Sequence, residues 1–203
     1  MLVRLPAGPV RRKGGAMRRI FVAGLVVSLC FSVIAVAGCG GETGKAKEYM
    51  KAADAGYKKV SARLESTSKA LEPSIGAAVQ GDYTKLTSQV LSDAEEAFSE
   101  ASRQLPEIKK KYQEIKGLKG VEDYVAYAED MIKGIDTTIK ALDMAAEMVA
   151  KLKPLVEAND QVGIKQYFAD RMPALLDTQS LNTQANKYFE EAASFKSRKG
   201  LGD

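Results

Sequence analysis

The chain has 203 residues, no histidine and two cysteines, Cys30 and Cys39. Six of its 30 Lys and Arg lie in residues 1–38, where there is no Asp or Glu, so the part from Cys39 onward holds 24 against 26 acids, net about −2. The net charge of +4 therefore belongs to the leader and makes no case for nucleic acid. Without histidine, Ser-His-Asp and Cys-His nucleophiles, the usual zinc sites and the Glu-x-x-His di-iron pattern are excluded.

Arg18 and Arg19 precede Ile20 to Gly38, nineteen residues without a charge. A basic segment, an apolar run and small residues before a cut describe a secretory signal over residues 1–38. The run ends in Val36-Ala37-Gly38-Cys39. These four residues resemble the lipobox of bacterial lipoprotein precursors. The resemblance implies cleavage after Gly38 by the lipoprotein signal peptidase and a diacylglyceryl group on Cys39 Sγ. It also implies a new N-terminus at Cys39 and a protein held on the outer side of the cell membrane. The alternative is an uncleaved span, since nineteen apolar residues just cross a bilayer. Both readings keep the arginines in the cytoplasm and everything after Cys39 outside it. Residues 1–16 add nothing a signal needs. Met17 starts a compact one, and codons for Lys13-Gly14-Gly15 can resemble a ribosome-binding site, so translation is expected to begin at Met17.

Residues 39–44, Cys39 and "GGETG", read as the lipidated cysteine and a short linker, and 45–203 as one all-α domain. Ala, Lys, Glu and Leu dominate and no strand alternation is sustained. Four apolar stripes at 3–4 spacing predict an antiparallel up-down-up-down bundle of four long helices. The first spans about 45–71. The second starts at Asp82 as N-cap, kinks at Pro106 and stops at Gly117 and Gly120. The third runs from Val121 to about Leu152. The fourth is expected in two pieces, 160–168 and 173–198, broken ahead of Pro173. "LEPSIGAAVQ" (71–80) and "LKPLVEANDQ" (152–161) match at an offset of 81, and "KGLKG" (116–120) echoes "KGLGD" (199–203), which suggests two related helical hairpins. The proline-bearing segments are expected to be the turns at the distal tip, mildly acidic through Glu72, Asp82, Glu157 and Asp160.

Little in this domain points to catalysis, and no motif calls for a cofactor or a metal. Glu122, Asp123, Glu129 and Asp130 share one helix, and Glu95-Glu96 and Glu190-Glu191 form pairs. Paired carboxylates serve glycoside cleavage in some enzymes, but on helices they are more often a solvated face, and the chain is read as no enzyme. "DTQSLNTQANKY" (177–188) is rich in amides and hydroxyls and suits either an exposed face or a polar ligand groove. Tyr124 and Tyr127, helical neighbours, read as seam packing before binding.

With the helices alternating in direction, the second and fourth end near the membrane. Lys109, Lys110, Lys111, Lys116, Lys119, Lys196, Arg198 and Lys199 are then candidate contacts for anionic lipid. Cations at helix C-termini also complement the macrodipole, at about 0.3–1 kcal/mol each, so either role accounts for them. Two functions fit. One is a non-catalytic interaction or structural module of the cell envelope, with an envelope protein or the cell wall as partner. Helical lipoproteins that bind cell wall resemble this chain in location and helicity alone. The other is a binding protein for a small or lipid-like ligand held between the helices. That reading predicts a cavity near Gly163 to Pro173.

Overall fold

A computed structural model describes residues 41–202. It contains four helices, α1 (Gly41–Val79), α2 (Ser88–Lys116), α3 (Glu122–Glu157) and α4 (Gln161–Lys199). Each packs antiparallel on its neighbour in sequence, α1 on α2, α2 on α3 and α3 on α4. The ring closes between α1 and α4 through long side chains, with Tyr57 and Phe189 rings 4.6 Å apart. The expected four-helix bundle is the fold.

Each helix buries one stripe. Met50, Ala53, Tyr57 and Val60 turn inward from α1, and Leu91, Ala94, Phe98, Ala101, Leu105, Ile108, Tyr112 and Ile115 from α2. Ala128, Met131, Ile135, Leu142, Val149 and Leu152 line α3, and Ile164, Phe168, Ala185, Phe189 and Ala192 line α4. Two glycines let helices come close. A Cβ on Gly56 would stand 3.1 Å from Ile108 Cγ1 of α2. A Cβ on Gly134 would collide with the Phe189 ring, which fills that space.

The boundaries differ from expectation at the prolines. Pro73 and Pro154 lie inside α1 and α3, not in turns, and α4 runs unbroken through Pro173. A helical proline removes one backbone donor and crowds the carbonyl four residues back. Here apolar residues keep the phase beyond each one, with Ala78 buried after Pro73, and Leu155, Val156 and Leu175 partly buried against the core after Pro154 and Pro173. Pro106 likewise sits within a continuous α2. The first helix takes in Gly41–Gly44, which the sequence placed in a linker.

The turns show why the helices stop where they do. Asp82 does not cap α2; its carboxylate accepts from the Thr84 N–H and hydroxyl in a local turn. Thr87 caps instead, accepting from Val90 N–H. Asn159 at φ 53° ends the α3 turn, and Asp160 caps α4 by accepting from Gly163 N–H at 2.8 Å. Gly200, left-handed at φ 61°, ends α4, and Leu201 N–H donates back to Lys196 O. The repeated segments occupy corresponding places: 71–79 and 152–157 close the two upward helices, and 116–120 and 199–202 follow the two downward ones.

Candidate functional site

The most specific arrangement is a buried polar hub to which every helix contributes one residue. Asp54 of α1 lies at its centre. Its Oδ1 accepts from the Tyr112 hydroxyl of α2 at 2.5 Å and from the Tyr127 hydroxyl of α3 at 2.8 Å. Its Oδ2 accepts from Lys196 Nζ of α4 at 2.6 Å. The side chains of Lys196 and Asp54 are only 9% and 11% exposed, so this ion pair is largely out of water. The ammonium also lies 5.4 Å from the centroid of the Tyr127 ring, and the two tyrosine rings meet edge-on at 6.1 Å. Gly202 packs over the lysine stem, where a Cβ would stand 3.2 Å from Cε.

Burial pushes both hydroxyls well above the ordinary tyrosine range, and the Asp54 carboxylate adds to the effect. Tyr112 and Tyr127 therefore keep their protons and act as donors. Among the described residues no fully buried side-chain nitrogen or oxygen lacks a hydrogen-bond partner. The hub's groups are turned on one another across the four helices, and that arrangement ties the helices at one height.

Lys196 is a correction to the sequence reading, which placed it among surface contacts for lipid. It stands four residues after Ala192 and seven after Phe189, in register with the buried stripe of α4, so it points inward. The other seven candidates divide. Lys109 pairs with Asp136 at 2.6 Å, Lys116 with Glu129 at 3.0 Å and Lys199 with Asp123 at 3.1 Å, all across to or from α3. Arg198 bonds Ser194 Oγ and lies over Phe195. Lys110, Lys111 and Lys119 are exposed. The expected basic end also carries the first turns of α3, with Glu122, Asp123, Glu129 and Asp130 and no cation over 121–130. The base is therefore divided in charge, not uniformly basic.

The carboxylates considered for catalysis are spent largely on lysines. Besides Asp123 and Glu129, Asp130 pairs with Lys133, Glu95 with Lys153 and Glu191 with Lys187. Among the described residues no group of three or more His, Cys, Asp or Glu is placed to hold a metal ion. At the distal end, Ile164 and Phe168 are buried where the ligand reading expected a cavity, and Tyr83 stacks on Phe168 at 6.2 Å. Lys153 is taken by Glu95, which leaves Lys85 and Lys165 against Glu72, Asp82, Glu157 and Asp160 in the segments of the tip.

The amide-rich stretch forms the outer side of α4. Leu176, Gln179, Ser180, Thr183, Gln184 and Lys187 line a shallow, open hollow, and no residue between Phe168 and Ala185 is fully buried. Thr178 and Thr183 return their hydroxyls to their own helix, to Ala174 O and Gln179 O. Tyr127 is buried as seam packing requires, but its hydroxyl points to Asp54 and not to the edge. Tyr124 is half-buried against the core.

Val36, Ala37, Gly38 and Cys39 lie outside the described residues. No described helix is long and apolar enough to cross a membrane. Comparison with protein-family models, curated proteins and solved structures finds no match.

Proposed function

We propose that this chain is a bacterial lipoprotein, tethered through Cys39 to the outer side of the cell membrane. Its four-helix bundle serves there as a non-catalytic interaction or structural module of the envelope. The lipobox at residues 36–39, behind a basic pair and an uncharged run, carries this reading. The start of α1 at Gly41 is consistent with it. One residue, Gly40, separates the tether from the helix, a reach of at most about 7 Å over two Cα steps, so the base of the bundle would stand at the headgroups.

The filled interior around Ile164 and Phe168 supports an interaction module over a ligand carrier. An interaction module presents surface, whereas a carrier needs internal volume, and the hollows found along α4 are open to solvent. The intact mass of the membrane-extracted protein tests the tether. A mass equal to residues 39–203 plus a diacylglyceryl group, lost in Cys39→Ala, is the expected result. An uncleaved mass in both proteins would replace the lipid tether with a membrane-spanning anchor.

A further inference from the structure

The charge of the base is uneven in a way that assigns it an orientation. Residues 41–51 of α1 and 109–119 of α2 and its following loop hold eight lysines against Glu42, Glu48 and Glu114. Lys109 and Lys116 are neutralised by Asp136 and Glu129 of α3. Lys45, Lys51, Lys110, Lys111 and Lys119 still outnumber the three acids. Across the bundle, three of the four acids in 121–130 are met by lysines, Asp123 by Lys199, Glu129 by Lys116 and Asp130 by Lys133. The lower bundle thus has a basic α1–α2 edge and an α3 edge whose charge is largely neutralised.

Three observations place the basic edge beside the tether. The Glu42 carboxylate accepts from Lys119 N–H, which fixes the first turn of α1 against the α2–α3 loop. Gly56 packs on Ile108, and Lys45 lies three turns below Gly56 on the same stripe, so it faces the α2 side. Lys111 lies between Ile108 and Ile115 on the flank of α2 that meets α1, and Lys110 beside it points outward; both are exposed. From Lys45 and Lys119 at the bottom to Lys111 the edge rises about 12 Å along the bundle.

We infer that this edge docks on anionic lipid headgroups, so that the tethered bundle leans onto its α1–α2 side with the first turns of α3, which carry no unpaired cation to match it, held away. The inference rests on the tether proposed above. A short link supplies proximity, and the lysines choose which side faces down. Each basic residue near an anionic leaflet contributes about fivefold in binding, whereas carboxylates there are repelled. The bilayer is the partner because the chain before Gly41 leaves from this same end and carries the lipobox.

Lysine acylation read by mass spectrometry tests this on the full membrane-extracted chain. The protein is placed in vesicles of phosphatidylcholine alone or with phosphatidylglycerol. Lys45, Lys110, Lys111 and Lys119 are expected to be protected several-fold more in the anionic vesicles, with Lys140 and Lys165 unchanged. High salt is expected to abolish the difference. Lys110→Glu with Lys111→Glu, at about fivefold for each charge removed, is expected to deprotect Lys45 and Lys119 as well. Equal protection in both vesicle types, or protection centred on distal lysines, overturns the docking. The intact mass of the same sample reads the tether separately. If Cys39 carries no lipid, anionic-selective protection of the four lysines still upholds the docking surface, and its absence overturns it.

Discussion

The two ends of this bundle are held by different means although the same four helices pass through both. At the base, Asp54, Tyr112, Tyr127 and Lys196 meet in one hydrogen-bonded set. At the tip, cohesion comes from Tyr83 stacked on Phe168, Tyr167 edge-on to Phe168, and Ser74 Oγ donating to Lys85 O across the α1–α2 connection. Apolar contacts tolerate small slips, and their worth grows with area. A buried carboxylate with three donors from three other helices tolerates none, because each displaced partner leaves charge or a polar group without compensation. The base therefore sets which residues face each other, and the tip adds cohesion that follows from that alignment.

Removing one member of the pair should break this contrast most sharply. Asp54→Ala or Lys196→Ala is expected to cost about 3–5 kcal/mol, the range for a buried pair deprived of one partner, read as the shift in urea denaturation. Replacing the whole set, Asp54→Leu, Lys196→Met, Tyr112→Phe and Tyr127→Phe, should recover most of that loss, because no buried donor is then left without its acceptor. A fourfold variant as unstable as the singles would mean that the hub contributes cohesion beyond its own alignment. Tyr112→Phe should cost about 1.5–3 kcal/mol, since the lost bond is to a charged acceptor.

The tyrosines also give the base a pH signature. Their folded pKa values lie above the ordinary 10.0 because of burial and, secondarily, neighbouring groups that include Asp54. The folded chain thus keeps protons that the unfolded chain releases. These groups contribute no loss of stability below about pH 10, and stability falls as the pH rises through and beyond it. Denaturation midpoints at pH 8 and 11 should fall less in a Tyr112→Phe, Tyr127→Phe double variant than in the parent.

Smaller effects sharpen the comparison from the side of the apolar contacts. Gly134→Ala pushes a methyl into the Phe189 ring. Overpacking should cost about 1–3 kcal/mol, partly offset by about 1 kcal/mol of helix propensity. Calorimetry should show a lowered Tm, restored by adding Phe189→Leu. At the tip, Ser74→Ala should lower stability by about 1 kcal/mol in the same urea assay. Lys110→Glu with Lys111→Glu should change folding stability by less than about 0.5 kcal/mol per site, and circular dichroism melts check this.

The helices were legible because periodic burial repeats within one segment. The third helix, expected from Val121 to about Leu152, is α3, with a buried stripe through Ala128, Met131, Ile135, Leu142, Val149 and Leu152. The prolines misled because a local rule about one lost donor was set against a stripe whose phase ran on through Pro73, Pro154 and Pro173. Asp82 resembled a cap but closed a turn with Thr84. The hub was not legible as a hub, since its members lie 58, 73 and 142 positions from Asp54. A signal existed all the same. Asp54 stands four residues after Met50 and three before Tyr57, and Lys196 four after Ala192, so two opposite charges are in register with apolar stripes. Opposite charges on two facing stripes are expected to meet. The divided base was missed for a simpler reason: lysines were counted at helix ends without the acids that start α3 in the same layer.

The distance in sequence between Asp54 and Lys196 has a consequence for where the molecule is vulnerable. The ammonium that neutralises the carboxylate comes from a helix 142 positions further along the chain. A chain cut before Lys196 would keep the carboxylate and both tyrosines and lack the ammonium beside them and Gly202 over it. Loss of one partner from a buried pair costs about 3–5 kcal/mol, so a cut that removes only the last turn of α4 is expected to loosen the layer of all four helices at Asp54.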